Sequence, residues 1–120
     1  MRIFKNKLFH KWAIKEGLTD LLLRQAIEEM EKGLFDANLG GHVYKKRIGV
    51  QGCGKRGGVR TLIAFKQGDK AFFVYGFAKN QQANLTTHEL QTLKQLAKEL
   101  LGYGEPALKT AIQVGKLIEV

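Results

Sequence analysis

The chain has 120 residues, a length that fits a single domain spanning 1–120, and its 44% hydrophobic content argues against a disordered chain. Its one cysteine, Cys53, excludes an intramolecular disulfide framework. No apolar run approaches the roughly 18 residues of a membrane span. The opening MRIFKNKLFHKW mixes basic and apolar residues without the continuous apolar stretch of a secretory signal, so a cytoplasmic protein with no membrane contact is expected. The net charge is +9, and +8 of it lies between Ala37 and His88, where Lys45, Lys46, Arg47, Lys55, Arg56, Arg60, Lys66, Lys70 and Lys79 are offset only by Asp69. A basic block inside a structured segment points to a polyanion such as nucleic acid.

In chain order, Phe4, Leu8, Phe9, Trp12 and Ala13 recur at helical spacing, with Gly17 as a stop. A second helix follows, capped by Thr19, with Leu22, Leu23, Ala26, Ile27 and Met30 as its apolar stripe and Gly33 at its end. The runs VYKKRIGV (43–50), VRTLIAFK (59–66) and KAFFVYGFA (70–78) are rich in β-branched and aromatic residues, with Gln67-Gly68-Asp69 as a hairpin connection. Helical period returns after the capping box Thr86-x-x-Glu89, with Leu90, Leu93, Leu96, Ala97, Leu100 and Leu101 on one stripe and Gly102 closing it. Pro106 opens a short last helix over Ala107, Leu108, Ala111 and Ile112, which Gly115 ends before the tail KLIEV. The order α-α-β-β-β-α-α predicts an α+β fold: two N-terminal helices, an antiparallel sheet of three or more strands, and C-terminal helices.

Two glycine motifs resemble nucleotide loops. Gly49-VQGC-Gly54-Lys55 matches most of a phosphate loop, but Arg56 stands where a magnesium-holding Ser or Thr belongs. Gly52-C-Gly54-KR-Gly57 matches a dinucleotide fingerprint. Both need a helix next, so that its N-terminus meets the phosphate; a strand follows instead. The glycines therefore read as a loop between strands that carries Lys55 and Arg56 toward a sugar-phosphate backbone.

Alternation along 43–50 puts Val43, Lys45 and Arg47 on one face and Tyr44, Lys46, Ile48 and Val50 on the more apolar other. The simplest arrangement buries Tyr44, Ile48 and Val50 and leaves Lys45 and Arg47 on an open face, where Arg60 and Lys79 of neighbouring strands can join them. The usual catalytic sets are poorly represented. His10, His42 and His88 lie in unrelated segments without metal-ligand spacing. Cys53 has no evident histidine partner, and Glu28, Glu29 and Glu31 read as a solvated helix face. No acids interleave with the basic strands, so no metal and no cofactor are expected.

The strings VYKKRIG, GCGKRGGVRTLIAF, DKAFFVYGFAKN and GKLIEV together resemble a toxin of the RelE/HigB superfamily in type II toxin-antitoxin systems, most like its HigB-like branch with a glycine-lysine loop. The resemblance covers roughly 34–120 and is carried most specifically by GKRGGVR and GFAKN. It implies a RelE-like toxin fold and an endoribonuclease, an mRNA interferase that cuts messenger RNA in the ribosomal A site and causes growth arrest. It also implies a cognate helix-turn-helix antitoxin through which the pair reaches operator DNA. Carried onto this chain, the family pattern makes Lys45, Arg47, Arg60 and Lys79 catalytic, and gives Lys46, Lys55, Arg56 and Asn80 to RNA or ribosome binding. Some relatives have an arginine where Asn80 stands and a tyrosine near Leu85 or Thr86, so the general acid stays open among Lys79, Lys45 and His42. The alternative is a degenerate toxin, a non-catalytic RNA- or DNA-binding module on the same basic sheet.

Overall fold

A computed structural model describes residues 1–50, 54–78 and 85–120, with side chains in those ranges apart from 54–57. The chain opens with strand β1 (Arg2–Asn6), then helices α1 (Lys7–Glu16) and α2 (Asp20–Glu31). Strands β2 (Ala37–Gly40), β3 (Val43–Val50), β4 (Gly54–Phe65) and β5 (Lys70–Ala78) follow. Helices α3 (Thr87–Leu101) and α4 (Glu105–Gln113) and strand β6 (Leu117–Glu119) complete the order.

The expected α-α-β-β-β-α-α order with an antiparallel sheet does not hold. The fold is α+β, but its sheet has six strands in the order β2-β3-β4-β5-β1-β6 and is mixed. β1 lies parallel to β5, with Phe4 opposite Phe72, and antiparallel to β6. The helical spacing of Phe4 and Leu8 spans a strand-to-helix boundary: Asn6 caps α1, its Oδ1 accepting from the Phe9 amide at 2.8 Å. β1 shows no period-2 pattern because Ile3, Phe4 and Lys5 are all buried, as expected of a strand covered on both faces. Lys5 is accommodated there by its ion pair with Asp20 at 2.8 Å. The tail KLIEV supplies β6.

Elsewhere, local chemistry sets the boundaries. Thr19 caps α2 by accepting from the Leu22 amide, and Gly17 ends α1 in the left-handed conformation. Thr86 and Glu89 form the reciprocal capping box of α3. The Gln67-Gly68-Asp69 turn joins β4 to β5, with the Lys66 amide donating to Lys70 O.

Two apolar layers sandwich the sheet. One packs Phe9, Ala13, Leu23, Ile27 and Met30 of α1 and α2 against Ile48, Ile63 and Phe73. The other packs Ala97 and Leu100 of α3 and Leu108 and Ala111 of α4 against Phe4, Val43, Leu62 and Phe72. Phe4 is fully buried and its ring stacks on Phe72 at 5.1 Å. Phe4→Ala is expected to cost about 3–5 kcal/mol in urea unfolding, because it empties the junction of β1, β5 and the second layer. Leu8→Ala, at a side chain 77% exposed, should stay within about 0.5 kcal/mol; similar losses for the two variants would contradict the central placement of β1.

Candidate nucleic-acid interface

The register of β3, β4 and β5 assembles the site. Residues directly opposite in an antiparallel ladder share a face. Lys45 lies opposite Leu62, and Arg47 opposite Arg60, which in turn faces Phe77 of β5. Leu62 also faces Tyr75, just before a register shift at which β4 advances one residue, to Ile63, and β5 two, to Phe73. One face therefore carries Lys45, Arg47 and Arg60 beside Tyr75 and Phe77, whose rings lie 6.1 Å apart. This is the face covered by α3 and α4, not an open sheet face as expected from alternation. The buried contacts of α3 come from its second half, Ala97 and Leu100, over Val43, Leu62 and Ala64. The opposite end of the strands, with Arg47 and Arg60, is left accessible.

Two arginines directly opposite one another, with Cα atoms about 4.5–5.5 Å apart, destabilise a sheet unless something offsets the repulsion. For Arg47 the offset is Asp36. Its carboxylate accepts from the Arg47 amide and from Arg47 Nε at 2.8 Å. Burial raises the Asp36 carboxyl, but these hydrogen bonds and the nearby charges of Arg47 and Lys46 outweigh it and hold it below its ordinary value. Among the described residues Arg60 has no such neighbour. It is half-buried, and its Nη1 is buried without a hydrogen-bond partner among the described residues. A buried guanidinium nitrogen without an acceptor among the described residues is costly.

The glycine before this strand segment is required by packing. A Cβ at Gly58 would come within 2.0 Å of Ile48 O, so only glycine lets β4 lie this close to β3 just before Arg60. The strand resumes at Gly54 and runs on to Phe65, so neither glycine motif leads into the helix a nucleotide site needs.

Lys46 departs from the expected RNA- or ribosome-binding role. It is 4% exposed, on the α2 side of β3, and its Nζ donates to Leu34 O at 2.9 Å and pairs with Glu29 at 2.7 Å. The alternation of the strand alone carries it away from Lys45 and Arg47. His42 sits at the far end of β3 in a left-handed conformation, Nδ1 3.3 Å from Phe65 O. Lys79 and Asn80 lie outside the described residues, as does Cys53, and the side chains of Lys55 and Arg56 are likewise outside them. Tyr75 was not among the sequence candidates, although 48% of it is exposed beside the arginines. The run AFFVYGFA hides it among aromatics that serve as core, and only the cross-strand register separates them.

A family model described as the RelE toxin of the RelE / RelB toxin-antitoxin system matches residues 1–120. The match makes the chain the toxin of a toxin-antitoxin system, whose natural partner is an antitoxin. It belongs to the RelE toxin family. No curated protein matches it. Among the described residues, no helix is long and apolar enough to cross a membrane.

Two outcomes follow from this geometry. Lys46→Ala should lower unfolding free energy by about 1–3 kcal/mol, since it removes one partner of a buried pair and uncovers Leu34 O. Lys45→Ala should change it by less than about 0.5 kcal/mol, and equal losses in urea melts would refute the split between the two faces. The Asp36 carboxyl is depressed in the folded state, so its contribution to stability is present above its unfolded value, near 3.8, and is lost as pH falls through the lower folded value. The difference in thermal midpoint between wild type and Asp36→Asn should accordingly be constant from pH 5 to 7 and shrink below pH 4. A difference that stays constant down to pH 2 would show that the Arg47 contact is not what Asp36 contributes.

Proposed function

We propose that the chain is a cytoplasmic, ribosome-dependent mRNA endonuclease of the HigB-like branch, working without a metal and using the RNA 2′-hydroxyl as nucleophile. The observation that carries this reading is the Arg47–Arg60 register pair, with Arg60 Nη1 buried and without a hydrogen-bond partner among the described residues. Such an arrangement is matched by a phosphate, whose non-bridging oxygens accept two parallel hydrogen bonds from one guanidinium.

In the reaction the 2′-oxygen attacks the adjacent phosphorus, the bond from phosphorus to the 5′-oxygen breaks, and a 2′,3′-cyclic phosphate forms. The proton of the 2′-hydroxyl leaves to a base, and the departing 5′-oxygen takes one up. Arg60 and Arg47 stabilise the added charge on the phosphoryl oxygens, where preorganised donors lower the barrier most. Lys45 lies on the same face and is a candidate for proton transfer; Lys79 remains the other. Lys55, Arg56 and Asn80 would hold RNA or ribosome beside the cleft. Tyr75, exposed next to Phe77, offers a ring on which a base can stack and so hold the hydroxyl in line. His42, at the far end of β3, is too distant from this group to serve. The partner would be a helix-turn-helix antitoxin that carries the complex to operator DNA.

The test is Arg60→Ala on ribosomes programmed with a defined messenger. Cleavage should fall at least a hundredfold, about 2.7 kcal/mol or more in the transition state, with the thermal midpoint nearly unchanged. Arg60→Lys should recover only part of the rate, since an ammonium cannot reproduce the paired hydrogen bonds. A folded Arg60→Ala protein cutting at the wild-type rate would remove Arg60 from the reaction. A wild-type protein that binds RNA but never cuts it would favour the non-catalytic reading.

A further inference from the structure

A second cationic surface lies away from the arginine pair. Between α3, the β2–β3 turn and the end of β4 is a groove of about 710 Å³, lined by Lys66, Lys94, Lys98, Gln91, Gln95 and His42 among others. Gln91 and Gln95, like Lys94 and Lys98, are spaced four residues apart on α3, so each pair occupies one face of the helix. Lys66, Lys94 and Lys98 make no ion pair and no side-chain hydrogen bond among the described residues. Of two nearby acids in sequence, Asp69 bonds Lys70 at 2.9 Å and lies within reach of the Lys66 charge without forming an ion pair with it, and Glu99 accepts from the Tyr103 hydroxyl at 3.3 Å.

The groove has a shaped wall. Gly41 adopts a left-handed φ of 58°, and a Cβ there would approach Lys94 Cγ to 2.7 Å. The lysine stem is thus laid against bare backbone, which fixes where its ammonium emerges. The groove opens about 17–20 Å from the Arg47–Arg60 pair, five to six residues along β3 and β4 at about 3.3 Å each. Both surfaces lie on the α3 side of the sheet, joined along β3 by Lys45. Three ammonium groups that make no ion pair among the described residues, with the Gln91 and Gln95 amides beside them, suit repeated phosphates and sugar hydroxyls.

From this we infer that the groove binds the sugar-phosphate backbone of the messenger strand several nucleotides from the bond that is cut, as a second anchoring site. The inference rests on the nuclease reading for the identity of the polyanion, while the groove itself does not depend on cleavage.

The test is the binding of a fluorescein-labelled 12-nucleotide single-stranded RNA across 50–500 mM salt, with wild type and Lys66→Gln/Lys98→Gln. Both lysines are exposed, so folding should be unaffected, which a thermal melt checks. Losing two phosphate contacts should make the log-log salt slope shallower by about 1.4. If the two lines meet at 1 M, that slope corresponds to affinity weaker by about 25-fold at 0.1 M salt. Identical slopes and affinities would overturn the proposal. Unchanged binding of the free strand with weakened binding to vacant ribosomes would also overturn it, assigning the groove to ribosomal RNA instead. A groove-dependent slope in a wild-type protein that leaves programmed ribosomes uncut would uphold the anchoring site and overturn only the nuclease reading.

Discussion

The position of β1 governs the architecture. Seated between β5 and β6 and parallel to β5, it obliges the chain to leave the sheet at Asn6 and cross one face before returning. A parallel neighbour requires such a crossover, and α1 and α2 provide it. Their apolar stripes cover that face, and α3 and α4 are left to cover the other. The ion pairs of Arg2 with Glu105 at 2.7 Å and Glu119 at 3.0 Å tie β1 to α4 and β6, although exposed pairs of this kind add little stability. With both faces occupied, the accessible part of the sheet is reduced to the ends of β3, β4 and β5.

Within that restricted area, the register decides which cations share a face. The three basic residues of β3 are consecutive, yet alternation sends Lys46 into the α2 layer and Lys45 and Arg47 to the opposite side. One strand thus holds a buried, paired lysine and two cations on the other face, distinguished only by parity. Asp36 stabilises Arg47 without touching Arg60, so the offset of like charges is one-sided. The other member of the pair is the one whose buried nitrogen has no partner among the described residues.

Much of the local structure was legible in the sequence because it rests on local chemistry. The caps Thr19 and Thr86, the stop at Gly17 and the runs 43–50 and 70–78 each follow from interactions within a few residues. What failed was non-local. β1 escaped because Lys5 and Asn6 disguise a strand buried on both faces, and its partners β5 and β6 cannot be read from its own residues. β6 has only Leu117–Glu119 and β2 only Ala37–Gly40, too short to show a period. For the site, alternation separated Lys45 and Arg47 from Lys46 correctly, but it gave the buried lysine no role. Tyr75 required the β4–β5 register with its bulge.

The pairing pattern also orders how the molecule can assemble. β3, β4 and β5 form a meander joined by short connections, so their contacts close small loops. The bond from Asn6 Nδ2 to Val74 O spans 68 residues, a far larger entropic step. Chains form such distant contacts later than local ones. The meander that carries Lys45, Arg47 and Arg60 can therefore take shape before β1 docks. Until it does, the edge of β5 stands unpaired, a row of free amides and carbonyls open to a strand from another chain. An unpaired β5 edge is therefore the place where β1, the first strand of the sheet, guards the molecule against mispairing.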